Sequence, residues 1–124
     1  MNESKPGTIV WTDLTVPDAE RLRDFYSSVV GWRAEPVDMG GYADFNMVVP
    51  ETGTPAAGVC FARAGNAKLP PYWLVYVAVE SLDASIEQCR RLGGTIVDGP
   101  RAVGAQRYYV VQDPAGAYVA LIGP

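Results

Sequence analysis

Residues 8–32, "TIVWTDLTVPDAERLRDFYSSVVGW", decide the fold of this 124-residue chain. The first part alternates and is rich in β-branched residues, so residues 8–16 are predicted to form a strand. Asp18 is a suitable N-cap for the helix that follows, and Gly31 supplies its stop. The apolar side chains between them fall on one helical face, which comprises Leu22, Phe25, Tyr26, Val29 and Val30. A strand that leads directly into a helix is therefore predicted.

The same order of elements recurs in the second half. Residues 72–79 predict a strand and residues 81–92 a helix, with Ser81 or Asp83 near its start and Gly93-Gly94 at its end. Each helix is followed by strand-like stretches, at 43–49 and 56–63 in the first half and at 107–112 and 117–122 in the second. The loop "RAGNAKLPP" (63–71) lies between the halves.

A shift of 63 residues aligns the halves, because it places Leu14 on Val77, Val16 on Val79 and Gly31 on Gly94. This agreement predicts an internal βαβββ duplication within one domain, 1–124, with module 1 at about 8–63 and module 2 at about 72–122. A single α+β domain with coincidental spacing is the alternative.

Composition excludes several classes of protein. Hydrophobic residues make up 48% of the chain and charged residues 19%, as in globular domains, and the net charge of −4 argues against a nucleic-acid partner. We see no secretory signal and no apolar stretch long enough to span a membrane, so a cytoplasmic protein is expected. Cys60 and Cys89 are expected to be free thiols. The chain has no histidine, which excludes Ser-His-Asp, Cys-His and His-ligated zinc chemistry.

Two stretches resemble the vicinal oxygen chelate superfamily, which includes glyoxalase, extradiol dioxygenase, fosfomycin-resistance and bleomycin-resistance proteins. They are "VPDAERLRDFYSSVVGW" (16–32), similar to the family's first helix, and "DPAGAYVALI" (113–122), similar to its final hairpin. The resemblance implies an α+β fold in which two βαβββ modules form a cupped mixed sheet around a cavity, and a homodimer.

In metal-dependent members of that family, the ligands lie mid-strand on the concave face. The matching positions here are Trp11, Leu74 and Ala120, with a fourth near Gly58. None of these residues offers an oxygen or nitrogen side-chain donor to a metal. The resemblance therefore implies a site without a metal, and we expect no cofactor.

The resemblance and strand alternation together predict what lines the cup. Candidate ligand-binding residues are Trp11, Asp13, Gly58, Cys60, Tyr72, Leu74, Tyr76, Tyr108, Gln112, Tyr118 and Ala120. Aromatic walls suit planar ligands, and a carboxylate among them suits a cation. For any single aromatic residue, ordinary core packing is the plainer interpretation. Asp13 also has a plainer interpretation, in which its carboxylate pairs with Arg107 or accepts a hydrogen bond from a backbone amide.

These features favour a metal-independent binding protein that sequesters an aromatic or cationic natural product or drug, as bleomycin-resistance proteins do. The alternative is a metal-free lyase or isomerase in which Asp13 is the base and Tyr76 or Tyr108 the acid. A metal-dependent glyoxalase or dioxygenase fits the sequence less well. The expected partner is a small molecule, with neither nucleic acid nor membrane involved.

Overall fold

The computed structural model describes residues 4–63 and 66–124 and confirms an α+β fold with a mixed sheet of eight strands and two helices. In chain order the elements are β1 (Ile9–Val16), α1 (Ala19–Val29), β2 (Arg33–Asp38), β3 (Ala43–Val49), β4 (Thr54–Phe61), β5 (Trp73–Ala78), α2 (Leu82–Arg91), β6 (Thr95–Val103), β7 (Gln106–Gln112) and β8 (Tyr118–Gly123). Ala64 and Gly65 of the predicted loop lie outside the described residues.

Both halves have the same strand pairing. β1 pairs in parallel with β4, and β5 pairs in parallel with β8. The other strands are antiparallel hairpin partners, which gives the orders β2-β3-β4-β1 and β6-β7-β8-β5. This repeated βαβββ topology agrees with the duplication predicted from the sequence.

The chain divides into two compact units. One contains Thr12–Trp73, and the other contains Leu74–Pro124 together with the N-terminal part of β1 up to Trp11. In the second unit, Gly7 N donates to Ala78 O and Ala78 N donates to Thr8 O, so the residues before β1 are bonded to the end of β5. β1 thus contributes residues to both units.

In the first unit, α1 packs on one face of the sheet. Its core contains Leu14 and Val16 of β1, Ala19 of α1, and Phe45, Met47 and Val59 of the neighbouring strands. The rings of Tyr26, Trp32 and Trp73 pack against this core, and Trp73 Nε1 donates to the Tyr26 hydroxyl at 3.3 Å. Two of the three tryptophans therefore have structural positions.

The predicted apolar face of α1 is partly wrong. Leu22 and Tyr26 pack against the core, but Phe25, Val29 and Val30 are at least half exposed. The sheet covers only a narrow stripe of the helix, formed by Ala19, Leu22 and Tyr26. The apolar residues on either side of this stripe project away from the sheet.

The strand β2 has no counterpart among the predicted elements. Its sequence "RAEPVD" contains a proline and three charged residues, and nearly all of it is exposed. It pairs only with β3 within the described sheet and is therefore an edge strand, where proline and charge are tolerated. The strand β6, Thr95–Val103, was not among the predicted strands either.

In the described part of the chain, the two helices have 11 and 10 residues, and neither is long and apolar enough to cross a membrane.

Candidate functional site

Strand alternation assigns two faces to the sheet of the second unit. Tyr109, Val111, Val119 and Leu121 pack with Leu82 and Ile86 of α2. Side chains at the intervening positions project to the opposite face. We call this the tyrosine face, and its members are Leu74, Tyr76, Tyr108, Val110, Tyr118 and Ala120.

Tyr76 and Tyr108 are the centre of the tyrosine face. Tyr76 is the register partner of Ala120, and Tyr108 is the partner of Ile122 two residues further along β8. The two phenol rings meet edge to face, with centroids 5.2 Å apart and an interplanar angle of 69°. Ala120 and Tyr76 are both buried, and Tyr108 is half-buried, so Tyr108 is the more accessible of the two rings.

An ion pair that the sequence did not predict lies beside these rings. Arg101 of β6 is the register partner of Tyr108, and its Nε donates to Asp98 Oδ2 at 2.6 Å. The hydrogen bond from the guanidinium to Asp98 raises the pKa of Arg101, partial burial opposes it, and negative charge on Asp98, Tyr108 and Tyr76 would raise that pKa further. Both phenol groups are therefore within electrostatic range of the guanidinium.

Three other residues predicted to line the cup, Trp11, Leu74 and Gln112, also belong to the second unit. Gln112 is the register partner of Tyr118, and its amide donates to Gly116 O at 3.0 Å, which closes the β7–β8 turn. Trp11 is partly buried and lies on the same face of β1 as Asp13. Leu74 is buried on β5, two residues before Tyr76.

The first unit brings together a different group, which we call the acid–thiol face. Asp13 is the register partner of Gly58, and Thr15 is the partner of Cys60. Burial raises the pKa of the Cys60 thiol, and the nearby carboxylates of Asp13 and then Asp44 raise it further, since the thiol also donates to Asp44. Asp44 in addition accepts from Phe61 N at 2.9 Å. Cys60 is therefore a protonated, weakly nucleophilic thiol.

Tyr72 and Arg107, two other residues named in the sequence analysis, each make a specific polar contact in the structure. Tyr72 precedes β5 and is exposed, with its amide donating to Pro70 O at 2.8 Å. Arg107, one suggested partner of Asp13, lies 3.3 Å from Asp83 Oδ1. The role of Tyr72 in ligand binding stays a prediction.

The positions that hold a metal in the family's metal-dependent members offer no donor here. Gly58 and Ala120 are equivalent positions of the two halves. Gly58 is the register partner of Asp13, and Ala120 is the register partner of Tyr76, 63 residues after Asp13. Leu74, Ala120 and Gly58 are buried residues without polar side-chain atoms. Among residues 4–63 and 66–124, no three His, Cys, Asp or Glu side chains form a group that could hold a metal ion. The side chains at these four described positions therefore do not fit that metal.

Sequence reasoning missed Arg101, Asp98 and Asp44. Asp98 and Arg101 are three residues apart, so simple alternation along a strand would place them on opposite faces. A Gly-Pro pair within a strand-like stretch was the available signal, because it marks a bulge that breaks alternation.

Comparisons with known proteins agree with this architecture. The chain is 32% identical to the anthracycline biosynthesis protein DnrV of Streptomyces peucetius over 133 aligned positions, which cover 98% of this chain and 48% of DnrV. It is 29% identical over 122 positions to a Mycobacterium tuberculosis protein named as a glyoxylase, CFP32, which cover 97% of this chain and 47% of CFP32. The chain thus spans about half the length of these curated relatives.

Among solved structures, methylmalonyl-CoA epimerase from Mycobacterium tuberculosis has the same fold. It superposes with a TM-score of 0.54 at 19% identity, covering 100% of this chain and 93% of the epimerase. The family model for the Glyoxalase/Bleomycin resistance protein/Dioxygenase superfamily matches residues 8–121. This chain belongs to the Glyoxalase/Bleomycin resistance protein/Dioxygenase superfamily.

Proposed function

We propose that this chain is a metal-independent small-molecule-binding protein that sequesters a planar aromatic natural product or drug. The observation that carries the proposal is the edge-to-face contact of Tyr76 and Tyr108 on one face of the sheet of the second unit. Phenol rings stack on planar ligands, and their hydroxyl groups add directional hydrogen bonds.

The side chains at the family's metal positions support the same proposal. Leucine and alanine at residues 74 and 120 place buried apolar side chains beside the phenol rings in place of ligating atoms. Sequestration requires affinity and no catalytic group, so it does not depend on ligating atoms at these positions.

The name of one relative suggests the ligand class. DnrV is named for anthracycline biosynthesis, and anthracyclines are planar, hydroxylated aromatic quinones. A ligand of that shape would match a face built of two phenol rings. We further propose that the protein acts as a cytoplasmic homodimer and that binding protects against the ligand, as in antibiotic resistance by sequestration.

A pair of variants on one strand tests this function. Tyr108 and Tyr109 are neighbours on β7, but Tyr109 packs on the α2 side. Isothermal titration with 1,8-dihydroxyanthraquinone should show saturable binding by the wild type. Tyr108→Leu should weaken it about fivefold, since an aromatic pair contributes about 0.5–1.5 kcal/mol. Tyr109→Leu should keep the affinity and lower Tm by roughly 4 °C per kcal/mol of packing lost.

The absence of saturable binding by the folded wild type would contradict the proposed function. Equal losses of affinity in Tyr108→Leu and Tyr109→Leu would show that the ligand does not bind at the tyrosine face. The alternative enzyme, with Asp13 as base, would instead reveal itself by turnover that Asp13→Asn abolishes.

A further inference from the structure

The chain places a charged pair on the tyrosine face by means of a β-bulge. Asp98 is the register partner of Val110, and Arg101 is the partner of Tyr108. These partners are two residues apart on β7, whereas Asp98 and Arg101 are three apart on β6. The extra residue lies within the register shift, and it brings both charged side chains to the same side as Tyr108.

The pair is oriented, with its carboxylate inside and its guanidinium outside. The Asp98 side chain is 14% exposed and the Arg101 side chain is 36% exposed. Their hydrogen bond uses Nε of Arg101, so it fixes the plane of the guanidinium. The two Nη groups carry the remaining N–H donors of the planar guanidinium. Such donors are suited to bidentate hydrogen bonding with the two oxygens of a carboxylate.

A lone arginine near two phenol rings would be mobile in solvent and would lose side-chain entropy on binding. The bond to Asp98 reduces that cost because one end of the guanidinium is already held. Bulges that re-aim side chains are common at sheet edges, where β6 lies, and beside active sites. The arrangement is suited to recognise negative charge at the margin of a ring-shaped ligand.

We propose that Arg101, held in place by Asp98, binds an acidic oxygen of the planar aromatic ligand that lies against Tyr76 and Tyr108. This proposal rests on the proposed function and narrows its ligand class to aromatic compounds with a carboxylate, phenolate or enolate group. Arg101 thereby determines specificity, and Asp98 is a positioning residue.

Two probes of one shape test the charge preference. Anthraquinone-2-carboxylate and anthraquinone-2-carboxamide have the same planar rings, and only the first is anionic at pH 7. Wild-type protein should bind the carboxylate about tenfold more tightly, which is a modest effect for a hydrogen bond to a charged group. Arg101→Gln should remove this preference by weakening the carboxylate alone, and Arg101→Lys should restore part of it. Asp98→Asn should weaken the carboxylate less than Arg101→Gln does.

Arg107→Gln provides the matched control. Arg107 lies on the strand adjacent to β6 and pairs with Asp83 of α2 at 3.3 Å, so it resembles Arg101 in chemistry and pairing. This variant should leave both probe affinities unchanged. Far-UV circular dichroism and Tm of every variant establish that each is folded.

The outcomes separate the two proposals. Equal affinity of the wild type for both probes, with no effect of Arg101→Gln, would overturn the role of Arg101 and leave the aromatic binding function standing. Failure of both probes to bind the folded wild type would overturn the binding function and this inference with it. Tighter binding of the carboxamide would exclude an acidic oxygen as the recognised group.

Discussion

Gly99 is the single residue on which the geometry beside the tyrosine face depends. Its φ is +117°, in a region that side-chain-bearing residues rarely adopt. A Cβ at this position would lie 2.8 Å from the carbonyl oxygen of Tyr108 and 3.0 Å from Cα of Tyr109. Because those atoms belong to the β7 backbone, they cannot move aside cheaply. Glycine is therefore required for β6 to pass close to β7 where the bulge brings Asp98 to Arg101.

Replacement of Gly99 should consequently damage both stability and the ion pair. We expect Gly99→Ala to cost about 2–4 kcal/mol, since it combines an unfavourable backbone conformation with a steric clash. Gly104→Ala is the matched control, because Gly104 also has a positive φ, of +58°, but open space where its Cβ would be. It should cost only about 1 kcal/mol. Urea unfolding measures both, and equal costs would show that the close approach contributes nothing.

At this scale the sequence predicted only part of the site. The resemblance and alternation together predicted Tyr108 for the cup, and in the structure its neighbour Tyr109 lies on the opposite face of the regular strand β7. The same rule failed for Asp98 and Arg101, because a bulge changes the count of residues between partners. The role of Gln112 in the β7–β8 turn was also not predictable, since its bond to Gly116 depends on how that turn closes.

The two helices begin in the same way, at positions related by the 63-residue shift. The Asp18 side chain accepts from Arg21 N, and the Ser81 side chain accepts from Ala84 N, each at 3.3 Å. The predicted stops are confirmed, since Gly31 after α1 and Gly93 after α2 both have a positive φ, but the 63-residue shift pairs Gly31 with Gly94 and so misses by one residue. Gly94 instead packs against Cys89 and the backbone of Gln112.

The Ser81 cap gives a prediction at the level of the helix. Ser81→Ala should destabilise the protein by about 1 kcal/mol, because Ala84 N loses the side-chain oxygen that accepts its hydrogen bond. Ser85→Ala, within the same helix, should be neutral or slightly stabilising, since alanine has the higher helix propensity. Thermal unfolding of both variants tests this, and equal effects would show that the cap contributes no stability.

Elements with a buried face could be predicted, and exposed ones could not. β3 and β7 contain runs of apolar and aromatic residues because one side of each packs in a core. β2 is an exposed edge with no such pattern, and its proline suggests a turn. For α1, periodicity located the helix but overestimated the width of its buried stripe, so Phe25 and Val29 are exposed.

For the whole molecule, the duplicated topology gives each half the same parallel pairing of its first and last strands. The halves differ in what those strands present. In the first half the register partners are Asp13 and Gly58. In the second half the equivalent partners are Tyr76 and Ala120. Conserved pairing with different side chains allows one half to acquire an aromatic surface while the other keeps acidic groups.

The predicted independence from metal is a property of the entire protein and is testable as such. Native mass spectrometry of untagged protein should show a homodimer without a stoichiometric metal ion. Exhaustive chelation should leave Tm within about 1 °C and the anthraquinone affinity unaltered, because only a bound metal would stabilise the folded state by mass action. A stoichiometric divalent ion whose removal lowers either quantity would contradict the assignment of Trp11, Leu74 and Ala120 as non-ligands.

The protonated thiol of Cys60 has a consequence for a protein proposed to bind small molecules. Electrophilic compounds alkylate thiolates, and a neutral thiol reacts with them much more slowly. Because burial and two carboxylates keep Cys60 in its neutral form, this side chain is expected to resist alkylation by an electrophilic ligand. A sequestering protein must release or retain its ligand reversibly over many encounters, and an unreactive cysteine protects that reversibility.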